Sequence, residues 1–201
     1  GVQTCALPIC LGLSVSLLSD SELTTGDLSQ FDVIVVGIRA SQTRPAYAAN
    51  NQRLLSYAKN GGTLIVQYQQ PDFVEKNLAP FNVTMDRNVR VVDETAPITI
   101  LEPNHPVFNF PNKITTEDFD GWVQERNNYN FTSFDREQYV PLTEAHDEGE
   151  PPSEGAMLYS RIGTGHYVYT AYSWFRQLPN GVPGAYRLFA NLLSLSKSPS
   201  Q

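Results

Sequence analysis

The sequence predicts a doubly wound α/β domain with a mostly parallel sheet and helices on both faces, and three observations carry that expectation. Val33–Val36 is an unbroken β-branched run, and Thr63–Gln67 is a second, largely apolar one. Runs of this kind read as strands buried on both faces. Between them Pro45 opens a stretch in which Tyr47, Asn51, Leu54, Leu55 and Ala58 recur at helical spacing, and Asn60-Gly61-Gly62 closes it. Proline suits the first turn of a helix and glycine its left-handed exit. Strand, helix and strand make a βαβ unit, whose handedness rule favours a parallel sheet. Both strands are expected at the centre of that sheet.

The totals fit this class. A chain of 201 residues suits one domain with a substantial core. Hydrophobic residues make up 41% and charged residues 17%, which excludes a disordered chain. A net charge of −7 and a pI near 4.9 argue against a nucleic-acid backbone or an anionic membrane as the partner. The ten Tyr, ten Phe and two Trp suit a heavy aromatic core, or a surface that stacks on sugars.

Both cysteines, Cys5 and Cys10, fall in the first ten residues. Val2–Ile9 (VQTCALPI) looks like the in-frame translation of a sequencing-library adapter, so residues 1–10 are expected to be a non-native leader on a gene truncated upstream. The rival reading is the apolar end of a signal peptide, but no basic region precedes it and no small-residue cleavage site follows. Either way the stretch is too short and too polar to span a membrane. The domain is then expected over residues 11–196, with a frayed polar tail over 197–201. Without further cysteine there is no disulfide framework, thiolate metal site or cysteine nucleophile in it.

Along the rest of the chain, Leu13–Leu18 alternates weakly as a strand would, and Val89–Val92 and Ile98–Leu101 read as short strands. Ala156–Arg161 and Tyr167–Ala171, joined around Gly163-Thr164-Gly165, read as a C-terminal β-hairpin. Pro183 then starts a final helix with Ala185, Leu188, Phe189 and Leu192 inward.

Catalytic motifs are mostly missing. There is no G-x-S-x-G elbow and no phosphate loop ending in Gly-Lys-Ser/Thr. His105, His146 and His166 lack the close pairing a zinc site wants, so no metal ligands are expected here. Glu117, Asp118, Asp120 and Glu125, in the acidic segment Thr116–Arg126, offer carboxylates for glycoside hydrolysis if two stand across a sugar. The bland alternative is a solvated turn with Trp122 packed inward.

Ligands in open α/β sheets bind beyond the carboxyl ends of the strands. Arg39 and Tyr68 follow the two central runs, and Ser173–Pro179 (SWFRQLP) follows the hairpin. Arginine there can grip a carboxylate or phosphate, and tryptophan or tyrosine can stack on a ring. Arg39, Tyr68, Trp122, Glu125, Trp174 and Arg176 are therefore the candidate ligand-binding residues; no residue qualifies as catalytic. The alternative is that Arg176 pairs with an acid and Trp174 fills a gap.

The blocks DVIVVGIR (32–39), NNQRLL (50–55), NGGTLIV (60–66), DFDGW (118–122), GHYVYT (165–170) and SWFRQLPNGVPGAYRLFANLLS (173–194) resemble the C-terminal region of certain bacterial PIG-L (LmbE-like) deacetylases. That region is similar to the class I glutamine amidotransferase fold, ThuA-like relatives included, which implies a flavodoxin-like sheet. The resemblance implies a zinc-dependent N-acetyl-sugar deacetylase domain upstream, commonly in exported proteins, with zinc held only there. Its A-H-P-D-D-E-type motif is absent from this chain. The amidotransferase cysteine would follow Thr63–Gln67, where Tyr68-Gln69-Gln70 stands, and the later His-x-Glu is replaced by His166-Tyr167-Val168. A triad without nucleophile or orienting acid cannot transfer an acyl group.

The expectation is thus a non-catalytic accessory domain that binds a ligand, a carbohydrate among the candidates, or packs on the deacetylase domain of the same polypeptide. The alternative is a stand-alone carbohydrate hydrolase using carboxylates near Asp118–Glu125.

Overall fold

A computed structural model describes residues 13–198. The proposed leader, with Cys5 and Cys10, and the last three residues lie outside them. In chain order the elements are α1 (Asp20–Thr25), β1 (Val33–Val36), α2 (Ala40–Thr43), α3 (Pro45–Lys59), β2 (Thr63–Gln67), α4 (Asp72–Glu75), β3 (Val83–Met85), β4 (Ile98–Ile100), β5 (Phe131–Phe134), β6 (Val140–Pro141), β7 (Thr143–Ala145), β8 (Met157–Ile162), β9 (Gly165–Thr170), α5 (Trp174–Gln177) and α6 (Pro183–Leu193).

The fold is mixed α/β around a five-stranded, mostly parallel sheet of order β1-β2-β9-β8-β6. β1, β2 and β9 run parallel, in register Val36↔Val66 and Val66↔Tyr169. β8 opposes both β9 and β6. Every residue of β2 is buried. The crossover helix forms as its pattern dictates: Pro45 occupies the first turn, and Tyr47, Asn51, Leu54, Leu55, Tyr57 and Ala58 are buried. Gly61, at φ 112°, ends it in a conformation that disfavours any other residue. The final helix buries Ala185, Leu188, Phe189 and Leu192, the stripe the sequence marks.

Three expectations are corrected. Val33–Val36 is an edge strand among the described residues, not a central one, and Val35 is 36% exposed. An unbroken apolar run cannot distinguish a strand flanked twice from one flanked once. Leu13–Leu18 forms no strand; Leu17 is 76% exposed. Val89–Val92 contributes only a bridge from Val91 to Asn127. The C-terminal chain is held further than its composition suggests: Leu195–Lys197 makes a 3-10 turn, and Lys197 Nζ pairs with Asp32 Oδ1 at 2.9 Å.

The hairpin turn locks onto the end of α3. Thr164 N–H donates to the Lys59 carbonyl at 3.1 Å, and His166 N–H to the Gly62 carbonyl at 3.0 Å. A Cβ at Gly165 would stand 2.0 Å from the Ala58 carbonyl oxygen and 2.3 Å from that of Gly62. Close backbone approach therefore accounts for both glycines of Gly163-Thr164-Gly165.

Near the same turn His105, Tyr159 and His166 cluster. The His105 and Tyr159 rings lie 4.5 Å apart, and His166 Nδ1 is 3.0 Å from the Tyr159 hydroxyl. His166 Nε2 faces Arg161 Nη1 at 3.3 Å. Arginine only donates, so Nε2 accepts and Nδ1 carries the proton to Tyr159. Burial, reinforced by the neighbouring His166, pushes His105 down to about 4, and burial with the Arg161 charge lowers His166. His146 lies apart, 3.7 Å from a Glu144 oxygen. Among the described residues no group of three or more His, Cys, Asp or Glu side chains could hold a metal ion.

Two outcomes follow from this packing. Gly165→Ala is expected to cost about 1–3 kcal/mol or more, because backbone rather than a pliable side chain must give way; a urea midpoint equal to wild type would contradict the packing. Because both histidines are held neutral in the fold, the unfolded chain binds protons first, so stability should fall as pH drops below about 6.5 toward 4. The double variant His105→Asn/His166→Gln should flatten that part of the urea midpoint–pH curve. An unaltered slope would show that the pair is not responsible.

Candidate functional site

The carboxyl ends of β1, β2 and β9 bring four of the six candidate residues together. Gly37 and Ile38 carry the chain out of β1 to Arg39, whose N–H donates to the Tyr68 carbonyl at 3.0 Å. Gln69 pins the two exits: its Nε2 donates to the carbonyls of Gly37 and Gln67 at 2.9 and 2.8 Å, and its Oε1 accepts from Ser41 N–H at 2.9 Å. Gln69, just past the end of β2, is thus a buried amide that clamps backbone.

After β9 the chain makes the short helix α5. Trp174 and Gln177, three apart, turn inward, while Phe175 and Arg176 remain partly exposed. Gln177 holds the preceding loop by accepting from Val123 N–H at 2.8 Å and donating to the Val123 carbonyl at 3.0 Å. Asn128 N–H donates to the Ala171 carbonyl at 3.0 Å, and Ser173 N–H to that of Arg126 at 3.0 Å. These bonds lay residues 123–129 along 171–177 and bring Glu125 to Arg176, with Nε 2.7 Å from Oε1. Arg176 also donates to the Gln124 side chain. Asn128 Nδ2 and Ser173 Oγ donate to the same Glu125 oxygen at 2.8 and 3.3 Å. Its Oε2 has no hydrogen-bond partner among the described residues.

Tyr68 stands at the centre. Its ring meets Tyr129 edge-on at 5.8 Å and Phe175 at 5.6 Å, and the Arg176 guanidinium lies 5.0 Å from the Phe175 ring. Burial pushes the Tyr68 phenol above its ordinary value, Arg39 and Arg176 pull it down, and Tyr129 and Glu125 add to the rise. Both guanidinium groups and the carboxylate therefore act on one hydroxyl. The backbone is unusual at the same place. Of the four non-glycine residues with positive φ among the described residues, three are Arg39 (55°), Gln124 (68°) and Tyr129 (55°). Left-handed backbone costs about 1–2 kcal/mol per ordinary residue and tends to gather at functional sites.

Trp122 and Trp174 do not join this surface. They are 3% and 1% exposed. Trp122 Nε1 donates to the Asp118 carbonyl at 3.0 Å, and Trp174 Nε1 to Thr170 Oγ1 at 2.9 Å. Tyr172, Phe119 and Phe189 cover their rings at 5.3–5.8 Å. Neither has a face left for a ligand, so both are corrected to core residues. The inward packing of Trp122 and the pairing of Arg176 with an acid are the bland alternatives the sequence already contained. Sequence reasoning missed Gln124, Tyr129 and Phe175. Phe175 lies inside the SWFRQLP motif, where knowing which side of the helical turn faces out would have selected it. The run Asn127-Asn128-Tyr129-Asn130 signals irregular backbone, since asparagine tolerates positive φ.

The acidic segment divides. Glu117, Asp118 and Asp120 line an open groove of about 490 Å³ with Lys113 and Arg187, and Glu125 is not part of that lining. Asp118 accepts from Thr115 N–H at 2.9 Å and pairs with Arg187 Nε at 2.8 Å. A larger groove of about 660 Å³ lies at the amino ends of β1 and β2, between Phe31, Asp32, Arg53, Tyr57 and Lys197. Its polar groups are spent on structure: Arg53 donates to the carbonyls of Leu23 and Gly26, and Tyr57 to that of Phe31. The smaller strand-end cluster is the better candidate because its polar atoms converge with some left uncommitted.

No protein-family model and no curated protein matches the chain. Among solved structures it is similar to two cytoplasmic proteins, one from Salmonella typhimurium LT2 at 16% identity and TM-score 0.58, covering 93% of this chain and 84% of that one. The other, from Salmonella typhimurium, stands at 17% identity and TM-score 0.53, covering 90% and 75%. A beta-galactosidase from Rahnella sp. R3 is similar over 86% of this chain at 14% identity and TM-score 0.52, but the chain spans only 24% of that enzyme. At these identities the likeness describes the fold.

Proposed function

We propose that this chain is a non-catalytic, ligand-binding accessory domain of a larger PIG-L-type N-acetyl-sugar deacetylase, built on a doubly wound, flavodoxin-like sheet of the amidotransferase type. The observation that carries the binding role is the convergence of Arg39, Tyr68, Glu125, Tyr129, Phe175 and Arg176 at the carboxyl ends of three parallel strands. That is where open α/β sheets bind ligands. The doubly wound reading draws support from the helices. The ring of Phe73 in α4 lies 6.2 Å from that of Tyr169, while Trp174, whose ring meets Phe189 of α6 at 5.3 Å, bonds Thr170, which alternation turns to the opposite face. The non-catalytic reading draws support from Tyr68-Gln69-Gln70, which stands where the resemblance would put a cysteine, and from Gln69 being spent on backbone groups. The deacetylase context rests on the six sequence blocks that resemble that family.

The carboxylate-based hydrolase reading gains nothing comparable, since Asp118 and Glu125 are each committed to an arginine and do not share a groove.

The purified chain is expected to release neither ammonia from glutamine nor acetate from N-acetylglucosamine. Turnover abolished by a chelator would overturn the non-enzyme reading. A calorimetric screen of glycans and small acids should find a ligand whose binding weakens by about 1–3 kcal/mol in Arg176→Ala, because Glu125 and Gln124 lose the guanidinium that positions them. No ligand at millimolar concentration would leave packing against the catalytic domain as the better account. Trp122→Ala and Trp174→Ala should instead lower folding stability by about 3–5 kcal/mol, read from urea unfolding, because each empties a covered core position. Unchanged urea midpoints would return the two rings to the ligand surface.

A further inference from the structure

We infer that the strand-end cluster takes a pyranose ring bearing a carboxylate, a sugar acid of the uronate type, with Arg39 as the anchor of the acid group. This rests on the ligand-binding reading above and deepens it. The two guanidinium groups of the cluster differ in what they have already bound. Arg176 is spent on Glu125 at 2.7 Å and on Gln124. Arg39 is exposed, and its described contact is a neutral one, Nε to Gln42 Oε1 at 3.3 Å. In a chain of net charge −7 it is a cation at the site without a carboxylate partner among the described residues. A planar guanidinium matches a carboxylate bidentately.

The rest of the cluster suits a sugar ring. The half-buried rings of Tyr129 and Phe175 flank the buried Tyr68 ring at 5.8 and 5.6 Å, and apolar sugar faces stack on such partly exposed rings. Glu125 is held rigidly through Oε1 alone, by Asn128, Ser173 and Arg176, so its Oε2 remains an acceptor for ring hydroxyls. The same carboxylate disfavours a doubly charged phosphate at this spot, where a single negative charge is offset by Arg39. The left-handed backbone at Arg39, Gln124 and Tyr129 fixes three members of the cluster in conformations that the chain would not adopt locally.

The test is calorimetry of the whole chain with D-glucuronate, D-glucose and glucose 6-phosphate. Glucuronate is expected to bind about tenfold or more tightly than glucose, with the preference shrinking in high salt. Arg39→Asn, chosen because asparagine tolerates the left-handed backbone, should erase that preference, and Arg39→Lys should keep part of it. Matching circular dichroism melts would show that both variants fold. Equal affinity for glucose and glucuronate, or preference for the phosphate, overturns the sugar-acid assignment while leaving a binding site at the strand ends. Glucuronate binding that Arg39→Asn does not weaken also overturns it. Binding of none of the three at millimolar concentration overturns the sugar-acid assignment, and a ligand from the wider screen would still preserve the binding reading.

Discussion

β2 is buried along its whole length, so its peptide groups have no water to turn to and must be paired on both sides. Parallel partners supply that pairing, β1 on one edge and β9 on the other. A parallel neighbour has to be reached by a crossover, which α3 provides. It also has to leave the sheet at the same end as β2. The three exits at Val36, Gln67 and Thr170 therefore lie side by side, although they come from distant parts of the chain. Everything proposed about function depends on that coincidence of strand ends.

The exits would splay without a tie, and the tie is made of amides. Gln69 joins the exits of β1 and β2, and Gln177 joins the 123–125 loop to the helix after β9. Arg126 extends the same scheme into the interior. It is buried, donates to the carbonyls of Ala96 and Phe119, and lies 5.9 Å from the Trp122 ring. Burial lowers its pKa from the ordinary value. A buried cation satisfied by carbonyl oxygens is costly to disturb, which suits a residue that holds a loop rather than a ligand. The cluster above it can stay partly exposed because the scaffold beneath it is fixed.

Much of the fold was legible because periodicity reports burial. α3, β2, the β8–β9 hairpin and α6 all follow from apolar spacing and the turn residues around them. The edge position of β1 was not legible, since the VIVV run is equally apolar with one neighbour or two. The short strands β3, β5 and β7 escaped because their burial alternates weakly over three or four residues. For the site, the tendency of ligands to bind beyond strand ends pointed to Arg39, Tyr68 and Arg176, which lie past the ends of β1, β2 and β9, and Glu125 came with the acidic segment. Trp122 and Trp174 were chosen for chemistry that their residue type permits but that their position on the inner side of a turn denies. Tyr129 and Gln124 were hidden because positive φ leaves little trace in sequence when the residue is not glycine.

The central claim is that the ligand surface lies at the carboxyl pole of the parallel strands. Backbone amide shift mapping during titration with a bound sugar or acid tests it most directly. The account predicts perturbations concentrated at residues 37–42, 68–70, 124–129 and 173–177. Perturbations centred instead on the groove between Phe31, Arg53, Tyr57 and Lys197, at the opposite pole, would contradict it.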